Sequence, residues 1–298
     1  YGGIYVPANQ SVIHSYAREQ MAKCGAMILG SDSHTRYGAL GTMAVGEGGP
    51  ELAKQLLKNT WDAPMPEVVM VYLTGKPRRG IGPHDVAIAL VKATFESGFV
   101  NNKVLEFVGP GIKELPIDFR NGIDIMTTET TCLSSIWVTD DVVKHHYDIH
   151  ERPDDYRELQ PGDVAYYDMM IRIDLSQQEA MIALPFHPSN AVTIHELQAD
   201  PVGILTRIEE DAKKRFGTKV DVHLVDKVVD GKVHADQFWR NHTFGNVLER
   251  PFSEIWDDPN IELLHKLKDK KAHVGGRCAK CRFLHICGGN FRARAEAY

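Results

Sequence analysis

The residues Val68-Val-Met-Val-Tyr-Leu73 form a short apolar run that predicts a buried β-strand. The run ends at Gly75 and Pro77, and the segment that follows, Pro83–Ser97, has the apolar spacing of a helix. A further apolar run, Leu105–Val108, predicts the next strand. Because a strand, a helix and a second strand in this order are typical of a parallel sheet, we predict an α/β protein built from layered α/β domains.

The same alternation continues on both sides of this unit. Before it, Ala26–Leu29 is a short apolar run, and Glu51–Asn59 has a helical pattern with leucines on one face. After it, Ile123–Met126 predicts a further strand, and Val202–Arg215 predicts an amphipathic, charged helix. The polar stretch His145–Gly162 lies between these two and predicts a connection at the surface.

Length and composition place the chain among ordinary globular proteins. It has 298 residues, of which 43% are hydrophobic and 25% are charged, and this length suggests roughly two domains. The net charge of −6 offers no electrostatic basis for binding nucleic acid or an anionic membrane surface. No apolar run approaches the ~20 residues that a membrane span requires. We therefore expect neither a nucleic-acid partner nor a membrane partner.

The cysteines and the two ends of the chain indicate in which cellular compartment the protein is expected. The cysteines number 5 and are too few and too unevenly spaced for a disulfide framework. The chain opens without a secretory signal and without an initiator methionine, and it stops at Tyr298 within a helix-like run, so both ends look cut. We expect a protein of the reducing cytoplasm.

A pattern typical of proton transfer follows the apolar run Ala26–Leu29. In Gly30-Ser-Asp-Ser-His-Thr35 the side chains of Asp32 and His34 are two residues apart and would project to the same side of an extended strand end. A carboxylate beside an imidazole favours the protonated imidazole, which is how such a pair is tuned. On the motif alone, a plainer interpretation is favoured, in which Asp32 caps a turn and His34 lies at the surface.

Residues 1 to about 235 resemble the aconitase superfamily of iron–sulfur hydro-lyases, especially its bacterial aconitase-like hydratase branch. Several motifs stand in the family's order and spacing: His14, Gly30–Thr35, Gly41–Gly49, Leu73-Thr-Gly75, Gly82–Val86, Gly109-Pro-Gly111 and Thr127–Ser135. The resemblance implies layered domains of the aconitase type. It divides this part into residues 1–66 (a domain-1-like remnant), 67–200 (domain-2-like) and 201–235 (a connector and the start of a third domain).

The resemblance also implies a reaction and residues that perform it. The family catalyses the reversible loss and gain of water on a small hydroxy-carboxylate substrate, using a [4Fe-4S] cluster. It implies two catalytic pairs, His14 with Asp32 and His34 with Glu129, which manage the proton of the substrate hydroxyl or of bound water. It places Ser33 beside the substrate, and it sets Glu129 on a strand within Thr127–Ser135.

The family's three cluster cysteines do not occur in this part of the chain. Cys24 and Cys132 match no family ligand, and we predict that both are buried structural thiols. The family's carboxylate-binding arginines and its serine base belong to later domains and are absent as well. We therefore expect acid–base side chains without the cluster they serve, and whether this chain is an active enzyme stays open.

A second cysteine pattern lies near the end of the chain. Cys278, Cys281 and Cys287 have the spacing C-x2-C-x5-C and are flanked by paired glycines that permit tight turns, so their thiolates can converge on one metal. A closed site needs a fourth ligand, which His273, His285 or a residue beyond the end could supply. Zinc and an iron–sulfur cluster both remain open from the spacing.

Residues from about 231 to 298 resemble the SPASM auxiliary-cluster region of radical-SAM enzymes, nearest to members that act in haem biosynthesis. The resemblance rests on Gly231–Trp239, Phe244–Val247, Glu249–Trp256 and Gly276–Phe291. It implies an auxiliary [4Fe-4S] cluster held by the three cysteines, in a cysteine-cluster segment that we assign to residues 236–298. The radical-SAM core motif C-x3-C-x2-C does not occur in the sequence.

The two resemblances meet in Val229–Gln237, and we interpret the chain as two family segments joined there. Our main hypothesis is a hydro-lyase of the aconitase family. The alternative is a radical-SAM accessory fragment that transfers electrons through an auxiliary cluster in haem biosynthesis. A third hypothesis is a zinc-stabilised binding module without catalysis. The oligomeric state is not predictable from the sequence.

Overall fold

A computed structural model describes residues 2–7, 11–217, 222–225, 231–235, 239, 241–282 and 284 of the chain. It divides into two compact units, residues 1–222 (unit 1) and residues 223–298 (unit 2). Among the described residues, every helix is too short or too polar to cross a membrane.

The strands are β1 (Met27–Gly30), β2 (Met43–Gly46), β3 (Val68–Thr74), β4 (Val104–Val108), β5 (Ser134–Trp137), β6 (Met169–Asp174), β7 (Met181–Ala183), β8 (Ala191–Thr193), β9 (Lys232–Val233) and β10 (Gly245–Asn246). The helices are α1 (Ile13–Gln20), α2 (Gly49–Leu56), α3 (Pro83–Thr94), α4 (Ile117–Met126), α5 (Asp141–Ile149), α6 (Ile194–Ala199), α7 (Pro201–Phe216), α8 (Phe252–Trp256), α9 (Glu262–Lys268) and α10 (Gly276–Ala279).

A four-stranded parallel sheet in the order β5-β4-β3-β6 organises unit 1. Along β3 the side chains of Val69, Val71 and Leu73 are fully buried, while the residues between them are half-buried. This alternation follows from the period of two in a strand. The buried side chains pack with Leu90 of α3 and Phe107 of β4 in one apolar core. The predicted α/β fold is confirmed.

The prediction of a strand at Ile123–Met126 is wrong, because these residues form the last turns of α4. Arg120, Ile123 and Asp124 are all buried, at the three- and four-residue spacing of a helix face. A four-residue apolar run does not distinguish a strand from a buried helical segment, and here the helix extends back to Ile117, directly after Pro116.

The prediction that the polar stretch from His145 is a surface connection is also wrong for its first part, which belongs to α5. Asp140 caps this helix by accepting hydrogen bonds from the backbone N–H groups of Val142 and Val143. Tyr147 is fully buried, and its hydroxyl donates to the carbonyl oxygen of Leu40 at 2.8 Å. Most of the polar residues lie on the outer face of an amphipathic helix, and His146 is buried beside Tyr147.

A small parallel pair, β1 with β2, carries the loop that holds the candidate site. The register pairs Gly30 with Gly46 at the ends of the two strands. A Cβ atom on Gly46 would overlap the backbone of Asp32, so glycine is required where the turn after β1 folds back against β2. This close approach fixes the path of the backbone that carries Asp32 and His34.

Unit 2 has a small apolar core of its own. β9 and β10 pair in antiparallel fashion, and Phe244, Ile255 and Leu264 are buried together, with Val233 packed against them. Lys232 and Val233 thus pair within unit 2. The predicted domain limits at residues 66, 200 and 235 stay predictions.

Candidate functional site

Three separate segments of unit 1 carry the four predicted catalytic side chains. His14 lies in the first turn of α1, and Asp32 and His34 lie in the turn after β1. Glu129 lies in a 3-10 helix, Thr127–Thr130, that directly follows α4. The expectation that Glu129 sits on a strand is therefore wrong, since β5 begins only at Ser134.

The fold brings these four side chains together in one connected cluster. His14 Nε2 lies 3.0 Å from Asp32 Oδ1, and His34 Nε2 lies 3.5 Å from Glu129 Oε1. The two pairs are linked through Asp32, whose Oδ1 is 3.5 Å from His34 Nδ1. The two imidazole rings are 6.4 Å apart between their centroids. Of the four side chains, Asp32 and His34 are the most exposed, at 50% and 40%.

Asp32 is the negative centre of the cluster. The backbone N–H of His34 donates to its Oδ1 at 2.8 Å, and this bond, together with the side chain of His14, lowers the pKa of the Asp32 carboxyl. The carboxylate is therefore ionised at neutral pH and acts only as a hydrogen-bond acceptor. Its side chain is 50% exposed, so it is open to a ligand from solvent.

Ser33, the predicted substrate contact, is exposed beside His34. Its hydroxyl oxygen lies 3.4 Å from His34 Nδ1. Its carbonyl oxygen accepts a 2.7 Å hydrogen bond from the Thr128 hydroxyl. Thr128 precedes Glu129, so this bond ties the turn of Asp32 and His34 to the turn that carries Glu129.

One further residue of the cluster was missed by the sequence interpretation. The hydroxyl of Tyr37 lies 3.1 Å from His14 Nδ1, and its side chain is buried, with 2% exposed. The guanidinium of Arg18 lies over the Tyr37 ring, 5.4 Å from its centroid. Tyr37 stands only three residues after His34, but nothing in that spacing indicates a contact with His14.

The two cysteines of unit 1 are buried thiols, as predicted. Cys24 Sγ donates to the carbonyl oxygen of Leu40 at 3.4 Å, and Cys132 Sγ donates to that of Thr127 at 3.3 Å. Burial raises the pKa of both thiols, which disfavours the thiolate that a metal requires. The described residues of unit 1 therefore do not fit the iron–sulfur cluster that an aconitase-type fold implies.

The cysteines of unit 2 have a different environment. Cys278 and Cys281 are exposed free thiols at the short helix α10, and the backbone N–H of Cys281 donates to the carbonyl oxygen of Cys278 at 3.1 Å. Two accessible thiols on one tight turn are suitable donors for a soft metal centre. Cys287 and His285 lie outside the described residues, so ligation by Cys278, Cys281 and Cys287 stays a prediction. Among the described residues, no three or more His, Cys, Asp or Glu side chains are arranged so that they could hold a metal ion.

Comparison with known proteins agrees with this division. Residues 1–235 match the aconitase family (aconitate hydratase), and residues 228–282 match SPASM, an iron–sulfur cluster-binding domain. The chain belongs to the aconitase family, and it carries a SPASM segment at its C-terminal side. Both resemblances predicted from the motifs are confirmed, and domains of both kinds bind iron–sulfur clusters.

Several curated proteins are similar to parts of the chain. The Fe-coproporphyrin III synthase of Methanosarcina barkeri is 61% identical over 72 residues, which are 23% of this chain and 18% of that protein. The aconitase htyD of Aspergillus rugulosus is 31% identical over 214 residues, 68% of this chain and 24% of that protein. The 3-isopropylmalate dehydratase large subunit of Campylobacter fetus is 31% identical over 181 residues, 60% of this chain and 43% of that protein. The chain thus spans less than half the length of each of these relatives.

Proposed function

We propose that unit 1 is the proton-handling part of an aconitase-type hydro-lyase that acts on a small hydroxy-carboxylate. The observation that carries the proposal is the convergence of His14, Asp32, His34 and Glu129 on one exposed place, with Asp32 ionised. Loss of water from a hydroxy acid needs a proton on the departing hydroxyl and a base for the proton that is removed. The linked imidazoles and carboxylates, in the order His14, Asp32, His34 and Glu129, include groups of both kinds.

His34 is the side chain best situated to exchange a proton with a ligand. It stands between the carboxylates of Asp32 and Glu129, and its side chain is 40% exposed. A nitrogen of this ring can donate to or accept from a ligand hydroxyl, and the carboxyl oxygens of Asp32 and Glu129 beside it can accept a hydrogen bond. The Ser33 hydroxyl lies next to this ring and can bind the ligand's hydroxyl or carboxylate.

The relatives direct the choice of substrate class. Two of them carry the names aconitase and 3-isopropylmalate dehydratase, and we propose a hydroxy-carboxylate of the same kind, such as 3-isopropylmalate. A chain whose described cysteines are all free thiols fits the reducing cytoplasm that we expect for it.

A binding experiment tests this proposal on the protein as it exists. We would follow the imidazole signals of His14 and His34 by NMR while adding 3-isopropylmalate or isopropylsuccinate, the same diacid without the hydroxyl. 3-Isopropylmalate should shift both histidine signals, and isopropylsuccinate should leave both unchanged. The variant His34→Asn should lose the response, whereas His145→Asn, at an exposed position of α5, should keep it.

Equal shifts of the histidine signals with 3-isopropylmalate and with isopropylsuccinate would contradict the proposal. So would a His14 signal that still responds to 3-isopropylmalate in the variant His34→Asn. Turnover is a separate question, because the described residues of unit 1 offer no thiolates for a cluster. We expect the chain alone to form no alkene after anaerobic reconstitution with iron and sulfide, as measured by the ultraviolet absorbance of the alkene.

We propose a second function for unit 2, the binding of an auxiliary iron–sulfur cluster for electron transfer. It is supported by the 61% identity to an Fe-coproporphyrin III synthase and by two exposed thiols, Cys278 in α10 and Cys281 just after it. Cys278 and Cys281, with Cys287, would hold the cluster, which supplies a one-electron redox centre when bound. Metal analysis after anaerobic purification tests this: iron with sulfide supports the cluster, and zinc alone supports a structural binding module.

A further inference from the structure

Tyr37 contacts the acid–base cluster from inside the protein, and no role has been assigned to it so far. Its hydroxyl lies 3.1 Å from His14 Nδ1, on the opposite edge of the imidazole from Asp32. The His14 side chain is 16% exposed. Its Nδ1 edge faces the buried phenol of Tyr37, and its Nε2 edge faces the half-exposed carboxylate of Asp32.

The positions of the protons on His14 follow from its two partners. Asp32 is an ionised carboxylate and can only accept, so the hydrogen of the 3.0 Å bond belongs to His14 Nε2. In the neutral imidazole the other nitrogen, Nδ1, then carries a lone pair and needs a donor. Burial raises the pKa of Tyr37, so its phenol keeps its proton at neutral pH and can donate it to Nδ1.

Tyr37 is itself held in place from several sides. Its carbonyl oxygen accepts from the backbone N–H groups of Leu40 and Thr42, at 3.0 and 3.3 Å. Its ring belongs to the apolar cluster that includes Ala17 of α1 and Tyr147 of α5, and Arg18 covers one ring face. A side chain fixed in this way can hold a neighbouring ring in one orientation.

We propose that Tyr37 is a positioning residue for His14, which its hydroxyl holds with Nε2–H directed at Asp32. Without the hydroxyl, His14 Nδ1 would lose its partner at 3.1 Å, and the ring would gain by turning or by shifting away from Asp32. The meaning of this arrangement for catalysis rests on the proposed function of unit 1. The arrangement itself rests only on the hydrogen bonds of Tyr37 and His14.

The test compares Tyr37→Phe with Tyr147→Phe in the full chain. Both tyrosines lie in the same apolar cluster, but the hydroxyl of Tyr147 donates to the carbonyl oxygen of Leu40 and not to a histidine. The readout is the rate at which diethyl pyrocarbonate, which attacks an imidazole nitrogen that has a free lone pair, modifies His14, followed by mass spectrometry of the peptide that contains it.

In the wild type, Tyr37 occupies the lone pair of Nδ1 and a proton occupies Nε2, so modification of His14 should be slow. Loss of a hydrogen bond of ordinary strength should make it about two- to tenfold faster in Tyr37→Phe. The rate in Tyr147→Phe should equal that of the wild type. Equal rates in all three proteins, or the same increase in both variants, would overturn the proposal.

A second measurement needs no variant and stays informative if Tyr37→Phe folds poorly. Long-range proton–nitrogen NMR of the wild type, at a pH of about 9 where imidazoles are neutral, should show His14 as the tautomer with the proton on Nε2. A proton on Nδ1 would overturn the proposal. Neither readout requires a substrate, so a failed binding experiment with isopropylmalate would leave this result standing, and the reverse also holds.

Discussion

The two candidate sites of this chain are built in opposite ways. The acid–base cluster of unit 1 draws side chains from α1, the turn after β1 and the turn after α4, which are far apart in the sequence. The thiols of unit 2 come from a single turn, in which Cys278 and Cys281 are joined by one backbone hydrogen bond. The first site therefore depends on the packing of a whole domain, whereas the proposed second site would depend on a ligand that gathers local residues.

The largest effect should come from removing the thiols of the local site. The double change Cys278→Ala and Cys281→Ala should abolish iron and sulfide binding, because too few thiolates remain to hold a cluster. The matched control is Cys24→Ala, which removes a buried thiol of unit 1 that donates to a carbonyl group. Iron and sulfide content after anaerobic reconstitution is the measurement.

Two outcomes would contradict the assignment of the metal site to unit 2 alone. Full iron content in the double variant would mean that the metal is held elsewhere, and an equal loss in Cys24→Ala would mean that unit 1 contributes a ligand.

A smaller but still large effect should follow from a change inside the scaffold of unit 1. Arg120 is fully buried, pairs with Asp140 at 2.7 Å and donates to the carbonyl oxygens of Ile112 and Leu115. Removing one member of a buried ion pair costs about 3–5 kcal/mol, and since the Asp140 side chain is 20% exposed the lower end of this range applies. We expect Arg120→Met to lower the free energy of unfolding of unit 1 by roughly this amount, as measured by urea unfolding.

The control for this change is an exposed ion pair of the same unit. Lys76 lies 3.3 Å from Glu114, and both side chains are largely exposed. Such pairs contribute about 0–1 kcal/mol, so Lys76→Met should have little effect. Similar losses in the two variants would mean that the buried pair gives the scaffold no special stability.

A further effect, on the same ion pair, concerns acid pH. Burial alone would raise the pKa of Asp140, but the Arg120 guanidinium and the backbone N–H groups of Val142 and Val143 together outweigh it and hold the pKa below the ordinary value of 3.8. A group whose pKa is lowered on folding stabilises the protein above its unfolded value, and this stability is lost as the pH falls through the folded value.

We therefore expect Asp140→Asn to be less stable than the wild type above about pH 4, and the difference to disappear at lower pH. Urea unfolding at a series of pH values is the measurement. A difference that persists unchanged below the folded pKa would mean that the charge of Asp140 is not the source of its stabilising effect.

Part of the fold could be predicted from local patterns. The apolar run at Val68–Leu73 is long and regular enough to identify a strand, and Pro83–Ser97 identifies the helix that follows it. The run Ile123–Met126 was too short for this, because a buried helix face and a buried strand look alike over four residues. The polar outer face of α5 concealed the buried Tyr147 for a similar reason.

The sequence by itself determined which chemical groups are available: a carboxylate and an imidazole in one turn at Asp32 and His34, and a local pair of thiols at Cys278 and Cys281. The family resemblance also implied the pairing of His34 with Glu129, but only the tertiary structure gave its distance and showed that Tyr37 lies against His14. The physical reason is that those contacts join segments whose mutual distance is set by the packing of α1, α4 and the small β1–β2 sheet against the core. No local pattern encodes such a distance, whereas two cysteines on one turn are close in any fold that contains the turn.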